Sequence, residues 1–138
     1  MQNNHETIQR LPCVLACSGC SRAGELADLA ARRLDKLGAA KMSCLAGVGG
    51  RVKSIVNTIQ SAPALLMIDG CPLECGGNSL KLAGITNFQH LKLHEHGVRK
   101  HSSEVNAETV EALAETAARQ LSNRPAPVSS TEPAIELR

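Results

Sequence analysis

Ala64-Leu65-Leu66-Met67-Ile68 is an unbroken apolar run of strand length, entered from Pro63 and closed by Asp69-Gly70. A run without polar alternation suits a strand covered on both faces, the setting of a parallel sheet in an α/β fold. Such strands end in the crevice where open α/β sheets bind ligands. At that end of this run stand Asp69, Cys71 and Cys75.

The remainder of the chain supplies partners for such a strand. Pro12 to Ala16 reads as a first strand, and Cys17-Ser18-Gly19-Cys20-Ser21 as a tight loop after it. A helix follows from about Arg22 to Leu37, with Leu26, Leu29, Ala30, Leu34 and Leu37 on one face, Ser21 as its N-cap and Gly38 as its stop. Ala40 to Ser43 is a weak second strand, and Cys44 to Gly50 a glycine-rich loop. A second helix takes Arg51 to Gln60, with Val52, Ile55, Val56 and Ile59 inward. Pro72 can start a helix that Gly76-Gly77 interrupts and Asn78 to Ala83 resumes. His90 to His94 alternates as a strand with one solvated face would. Asn106 caps the clearest helix, whose stripe is Val110, Leu113, Ala114, Ala117 and Leu121. The 138 residues suffice for one domain with a core. We expect a flexible lead-in over 1–11, a single α/β domain over 12–122 and a disordered tail over 123–138. Four strands alternating with helices imply a mostly parallel sheet with helices on both faces, a Rossmann-like three-layer arrangement.

The first ten residues are polar and no apolar run reaches membrane-spanning length, so a cytoplasmic protein with no membrane partner is expected. Six cysteines in that compartment point to metal or thiol chemistry rather than to a disulfide framework. Cys17 and Cys20 follow the first strand, Cys44 the second, and Cys71 and Cys75 the third. Parallel strands end on one edge, roughly 5 Å from their neighbours. Those five thiols therefore come within reach of one point. Cys13 lies inside the first strand and reads as a small core residue.

Thiolates suit zinc, iron or copper(I), and zinc takes four of them in a tetrahedron at about 2.3 Å. Cys17-x-x-Cys20 has the spacing of a metal-binding turn, and Cys71 and Cys75 stand one turn apart if a helix starts at Pro72. Five thiols for one four-coordinate ion leave one over. The ion could be structural, or exchangeable as in a carrier or sensor. The same loops lead into helix N-termini, which favour a thiolate. A thiol redox or sulfur-transfer enzyme is therefore the alternative. A catalytic zinc with Asp69 or a histidine as base is a third.

Other signals have plainer meanings. Asp69 reads as a cap for the following turn, and Ser18 and Ser21 as loop hydrogen-bonders. Gly47, Gly49 and Gly50 fit neither a Walker loop nor the dinucleotide fingerprint. Four residues separate Cys17 from Arg22, where the phosphate loop of low-molecular-weight cysteine phosphatases has five. His90, His94 and His96 read as surface residues. A single aromatic residue, Phe88, a net charge of +2 and scattered basic residues leave no footprint for nucleic acid.

Three cysteine motifs in order carry a family likeness. Cys17-Ser-Gly-Cys-Ser with Gly24-Glu25, Met42-Ser-Cys44-Leu-Ala-Gly47, and Asp69-Gly70-Cys71-Pro72 with Cys75 resemble the DGC domain family, named for its Asp-Gly-Cys triplet. The likeness runs from about Pro12 to Lys100, and Gly97-Val98-Arg99-Lys100 resembles the segment after the family's last strand. Members are described as candidate zinc-binding proteins. The resemblance implies zinc as cofactor and Cys17, Cys20, Cys44, Cys71 and Cys75 as its ligands, with Cys13 outside the motifs.

Overall fold

In the computed structural model, residues 10–123 are described. Of the expected lead-in over 1–11 and tail over 123–138, residues 1–9 and 124–138 lie outside them. Four strands form one sheet in the order β2-β1-β3-β4: β1 is Cys13–Ala16, β2 Lys41–Met42, β3 Leu65–Asp69 and β4 Gln89–Lys92. Every pairing is parallel. The register places Ala16 opposite Ile68, and Asp69 opposite Lys92. The strands that precede the cysteine loops, β2, β1 and β3, are therefore immediate neighbours, with β1 between the other two.

Five α-helices cover the sheet: α1 Arg22–Lys36, α2 Leu45–Gly49, α3 Lys53–Ser61, α4 Cys75–Leu82 and α5 Ala107–Ser122. One face packs α1 and α5 on Val14, Ala16, Leu66, Ile68 and Leu91. The other packs residues of α2, α3 and α4 on Cys13, Leu15, Leu65 and Met67. This is the three-layer α/β domain that the alternation of apolar runs implies. The β3 run is buried at all five positions, as a central parallel strand requires.

Local boundaries differ in four places. Residues 45–49 form helix α2 rather than a loop, with Gly47 and Val48 buried against the rest of that layer. Packing there outweighs the poor helix propensity of glycine. Gly76-Gly77 does not interrupt a helix: it forms the first turn of α4, which begins at Cys75 and not at Pro72. Cys71 and Cys75 therefore flank a turn instead of sharing a helical face. The last strand ends at Lys92, and Leu93–His96 is a 3-10 turn. Leu37 and Val52 are exposed caps of α1 and α3, not core positions. Ser21 does cap α1, its hydroxyl accepting from Gly24 N at 3.1 Å, and Gly38 follows that helix with φ +71°.

Candidate metal and thiol site

The all-parallel sheet puts the five loop cysteines on one edge. Cys17 directly follows β1, and its amide donates to Ile68 O at 3.0 Å, which ties it to β3. Cys44 is the residue before α2, beyond a further ladder bond from Ser43 N to Val14 O of 3.0 Å. Cys71 lies two residues beyond β3, and Cys75 opens α4. Cys20, Cys44 and Cys75 are exposed, while Cys17 and Cys71 are half-buried against the core. All six cysteines are free thiols. Cys13 is buried inside β1, and burial pushes its thiol up to about 11.

The first turn of α1 draws two of these loops together. A methyl group at Gly24 would meet Gly19 O at 2.6 Å, so the Cys17–Cys20 loop lies directly on that turn. A methyl group at Gly70 would run into the backbone of Ala23 and come within 2.9 Å of Gly24 N. The segment after β3 therefore clasps the same turn from another side. Only glycine allows either approach. The loops that carry Cys17, Cys20 and Cys71 therefore meet at Ala23-Gly24. The amides there are satisfied: Ser21 Oγ takes Gly24 N, and Lys100 O takes Ala23 N at 3.1 Å.

The start of α4 is built differently. Asp69 is 1% exposed, and its two carboxylate oxygens accept from Gly76 N and Gly77 N, each at 2.8 Å. His90 Nε2 donates to the same carboxylate at 2.7 Å. Asp69 thus caps α4, and a buried carboxylate with three donors is a satisfied one. Gly76 and Gly77 make room for it: a methyl group at Gly76 would lie 2.8 Å from Asp69 Oδ1, and one at Gly77 would lie 2.5 Å from the His90 ring. Beyond the ring, Glu74 Oε1 stands 3.7 Å from His90 Nδ1 and 3.2 Å from Lys92 Nζ. Lys92 holds the Glu74 carboxyl below its ordinary range, with smaller contributions from His90 and His94. Glu74 itself sits in the left-handed region at φ +52°.

His90 is therefore not a surface histidine, as its sequence context suggested, but the partner of the one buried carboxylate in the described core. Parallel pairing of Met67 with His90 turns its side chain under α4. The paired glycines are the sequence signal that something must approach α4 closely. Asp69 has no free role as a base, because its oxygens already hold two amides and an imidazole.

In these terms each residue of the Asp69-Gly70-Cys71 triplet has a distinct task. The carboxylate anchors α4, the glycine admits α1, and the thiol emerges between them. The family profile described as DGC domain matches residues 13–123. The chain belongs to the DGC domain family. It is also similar to a Pseudomonas aeruginosa protein named anaerobic and virulence modulator AnvM, 46% identical over 94 residues that cover 68% of this chain and 72% of that one. No solved structure matches.

Chemically, the edge offers soft sulfur donors, with a neutral, glycine-packed corner on the α1 side and a charged one on the α4 side. Among the described residues, no group of three or more His, Cys, Asp or Glu side chains is arranged to hold a metal ion. The thiols share an edge without forming a closed ligand set. No helix among the described residues is long and apolar enough to cross a membrane.

Proposed function

We propose that this DGC domain binds a thiophilic metal ion, zinc first, through Cys17, Cys20, Cys71 and Cys75, with Cys44 the thiol left over. The observation that carries this reading is the clasp around Ala23-Gly24, which gathers Cys17, Cys20 and Cys71 at one corner. Cys75 is tied to the same turn through the short Cys71–Cys75 segment, whereas Cys44 hangs from β2 on the far side of β1. Four thiolates complete a tetrahedral site for zinc and equally suit iron or copper(I). Binding fixes the two loops against each other, so the ion is coupled to local ordering. Cys20 and Cys75 are exposed, which suits an exchangeable ion in a carrier or sensor. The P. aeruginosa relative is named a modulator, and a regulatory part of that kind fits exchange better than a permanent structural ion.

The test is native mass spectrometry with elemental analysis on protein purified anaerobically without added metal. One ion per chain, lost on acidification, is the expected result. Cys71→Ser should then weaken binding by at least tenfold, and Cys13→Ser should leave it unchanged. Intact affinity in Cys71→Ser would sink the proposal.

The enzymatic reading, with a thiolate nucleophile at a helix start, is less well supported. It relies on free amides, and at α4 Gly76 N and Gly77 N are held by a carboxylate, while at α1 Gly24 N is held by Ser21, which leaves Cys44, the N-cap of α2, whose side chain makes no cap hydrogen bond. Fast alkylation of Cys20 or Cys75 near neutral pH in metal-free protein would restore it.

A further inference from the structure

A cleft of about 1130 Å³ opens beside the ends of β1 and β2, on the scale of small-molecule pockets. Two thiols line it, Cys17 and Cys44; Cys20, Cys71 and Cys75 do not. One wall is the outer side of α1, which contributes Asp28, Arg32, Asp35 and Lys36. These charges alternate in sign, so the wall presents both kinds to a ligand. Arg32 is engaged with Asp28 at 2.7 Å, and Ser18 Oγ donates to the other Asp28 oxygen at 2.8 Å. Asp35 Oδ2 accepts from Met42 N at 2.8 Å, and its second oxygen is open. Lys36 has no ion pair or hydrogen bond within the described residues. The opposite wall, from Leu45, Ala46 and Ile55, is largely apolar.

We propose that this cleft takes a small zwitterionic disulfide built from amino acids, and that Cys44 exchanges with it. Lys36 offers a cation for the ligand's carboxylate, and Asp35 an acceptor for its ammonium group. The apolar wall suits the short aliphatic stem next to the sulfur. Cys44 is the more exposed of the two lining thiols. Its thiolate attacks one sulfur of the ligand, the S–S bond breaks, and a new S–S bond joins Cys44 Sγ to that half. The other half leaves as a thiolate and takes a proton from solvent. Cys44 has already released one, so the step is neutral in protons and moves no net oxidising equivalents beyond those the disulfide brings. The proposal rests on the metal reading in one respect alone, that Cys44 is the spare thiol.

Oxidised glutathione is the probe, with hydroxyethyl disulfide as the uncharged control, and peptide mapping locates the adducts. With glutathione the adduct should concentrate on Cys44, although Cys20 and Cys75 are also exposed. Lys36→Glu should slow that reaction several-fold and leave the hydroxyethyl disulfide reaction unchanged. Adducts spread evenly over Cys20, Cys44 and Cys75, or a Lys36→Glu variant as fast as the parent, would overturn the cleft. Metal content separates the two proposals. Cys44→Ser should keep its ion, and loss of the ion in that variant would make Cys44 a ligand and overturn its role as the free thiol. A parent protein that holds no metal yet forms the Cys44 adduct would defeat the metal reading and leave the cleft standing.

Discussion

The first turns of α1 and α4 sit at the same edge of the sheet, on opposite faces, and are held by opposite means. Around α1 the fit is steric: Gly24 and Gly70 let two backbone segments touch the turn, and neutral oxygens take its amides. Around α4 the fit is electrostatic: the buried Asp69 carboxylate holds two amides and His90. The difference teaches that two helix starts at one sheet edge can be held in two ways. A packed corner resists pH and salt but tolerates no added atom. The charged corner is as closely packed, on Gly76 and Gly77, and depends in addition on keeping its charge.

Removing the charge should be the severest break. Asp69→Ala leaves two amides and an imidazole without their partner, and loss of one member of such a buried group costs about 3–5 kcal/mol. Urea denaturation should show that loss as a lower midpoint, and Asp69→Asn should recover part of it. Unchanged stability in Asp69→Ala would show that α4 is anchored by packing after all. Next comes Gly70→Ala, which drives a methyl group into Ala23. Overpacking of this kind costs about 1–3 kcal/mol, and here backbone rather than a flexible side chain must yield. The loss should be the same at pH 5 and pH 8, which sharpens the contrast with the charged corner.

A pH scan supplies a third, comparable effect. Cys13 has its thiol raised from 9.0 to about 11 by burial. The unfolded chain therefore releases that proton first. Stability from this group is full below pH 9, falls as pH rises from 9 to 11, and is flat beyond, with a total on the order of 2–3 kcal/mol. Cys13→Ala should remove that slope while leaving metal content alone. The smallest effect belongs to the rim of the charged corner. Lys92→Ala deletes a partly exposed pair with Glu74, and solvent screening leaves such pairs little weight in stability. Because Lys92 lowers the Glu74 carboxyl, its contribution is present at neutral pH and lost on acidification through the carboxylate range. Thermal melts of parent and variant should therefore converge in acid.

Much of this fold is legible in the residues. Leu65–Asp69 and Cys13–Ala16 are apolar runs with punctuation on both sides, and both became strands. Ser21 and Asn106 announce helix starts, and each accepts from the amide three residues on. What escaped were features set by distant partners. Gly76-Gly77 looks like a break because its neighbours in sequence give no reason for close approach; the reason is Asp69 and His90, from two other strands. His90 looks solvated until β4 is registered against β3. That the loops of Cys17, Cys20 and Cys71 end at one sheet edge followed from strand order, but the clasp between them depends on Gly24 and Gly70. Which of the five thiols would share an ion was not legible, since no spacing rule singles out four.

The position of β1 in the middle of the sheet has a consequence for how the chain is made. β1 is made before the other three strands of its sheet, yet the strand that covers its other edge, β3, is finished roughly 50 residues later, a wait on the order of seconds at 5–20 residues per second. Cys13, Cys17 and Cys20 spend that interval without their native neighbours. Those thiols therefore meet their surroundings before the sheet that will enclose them is complete.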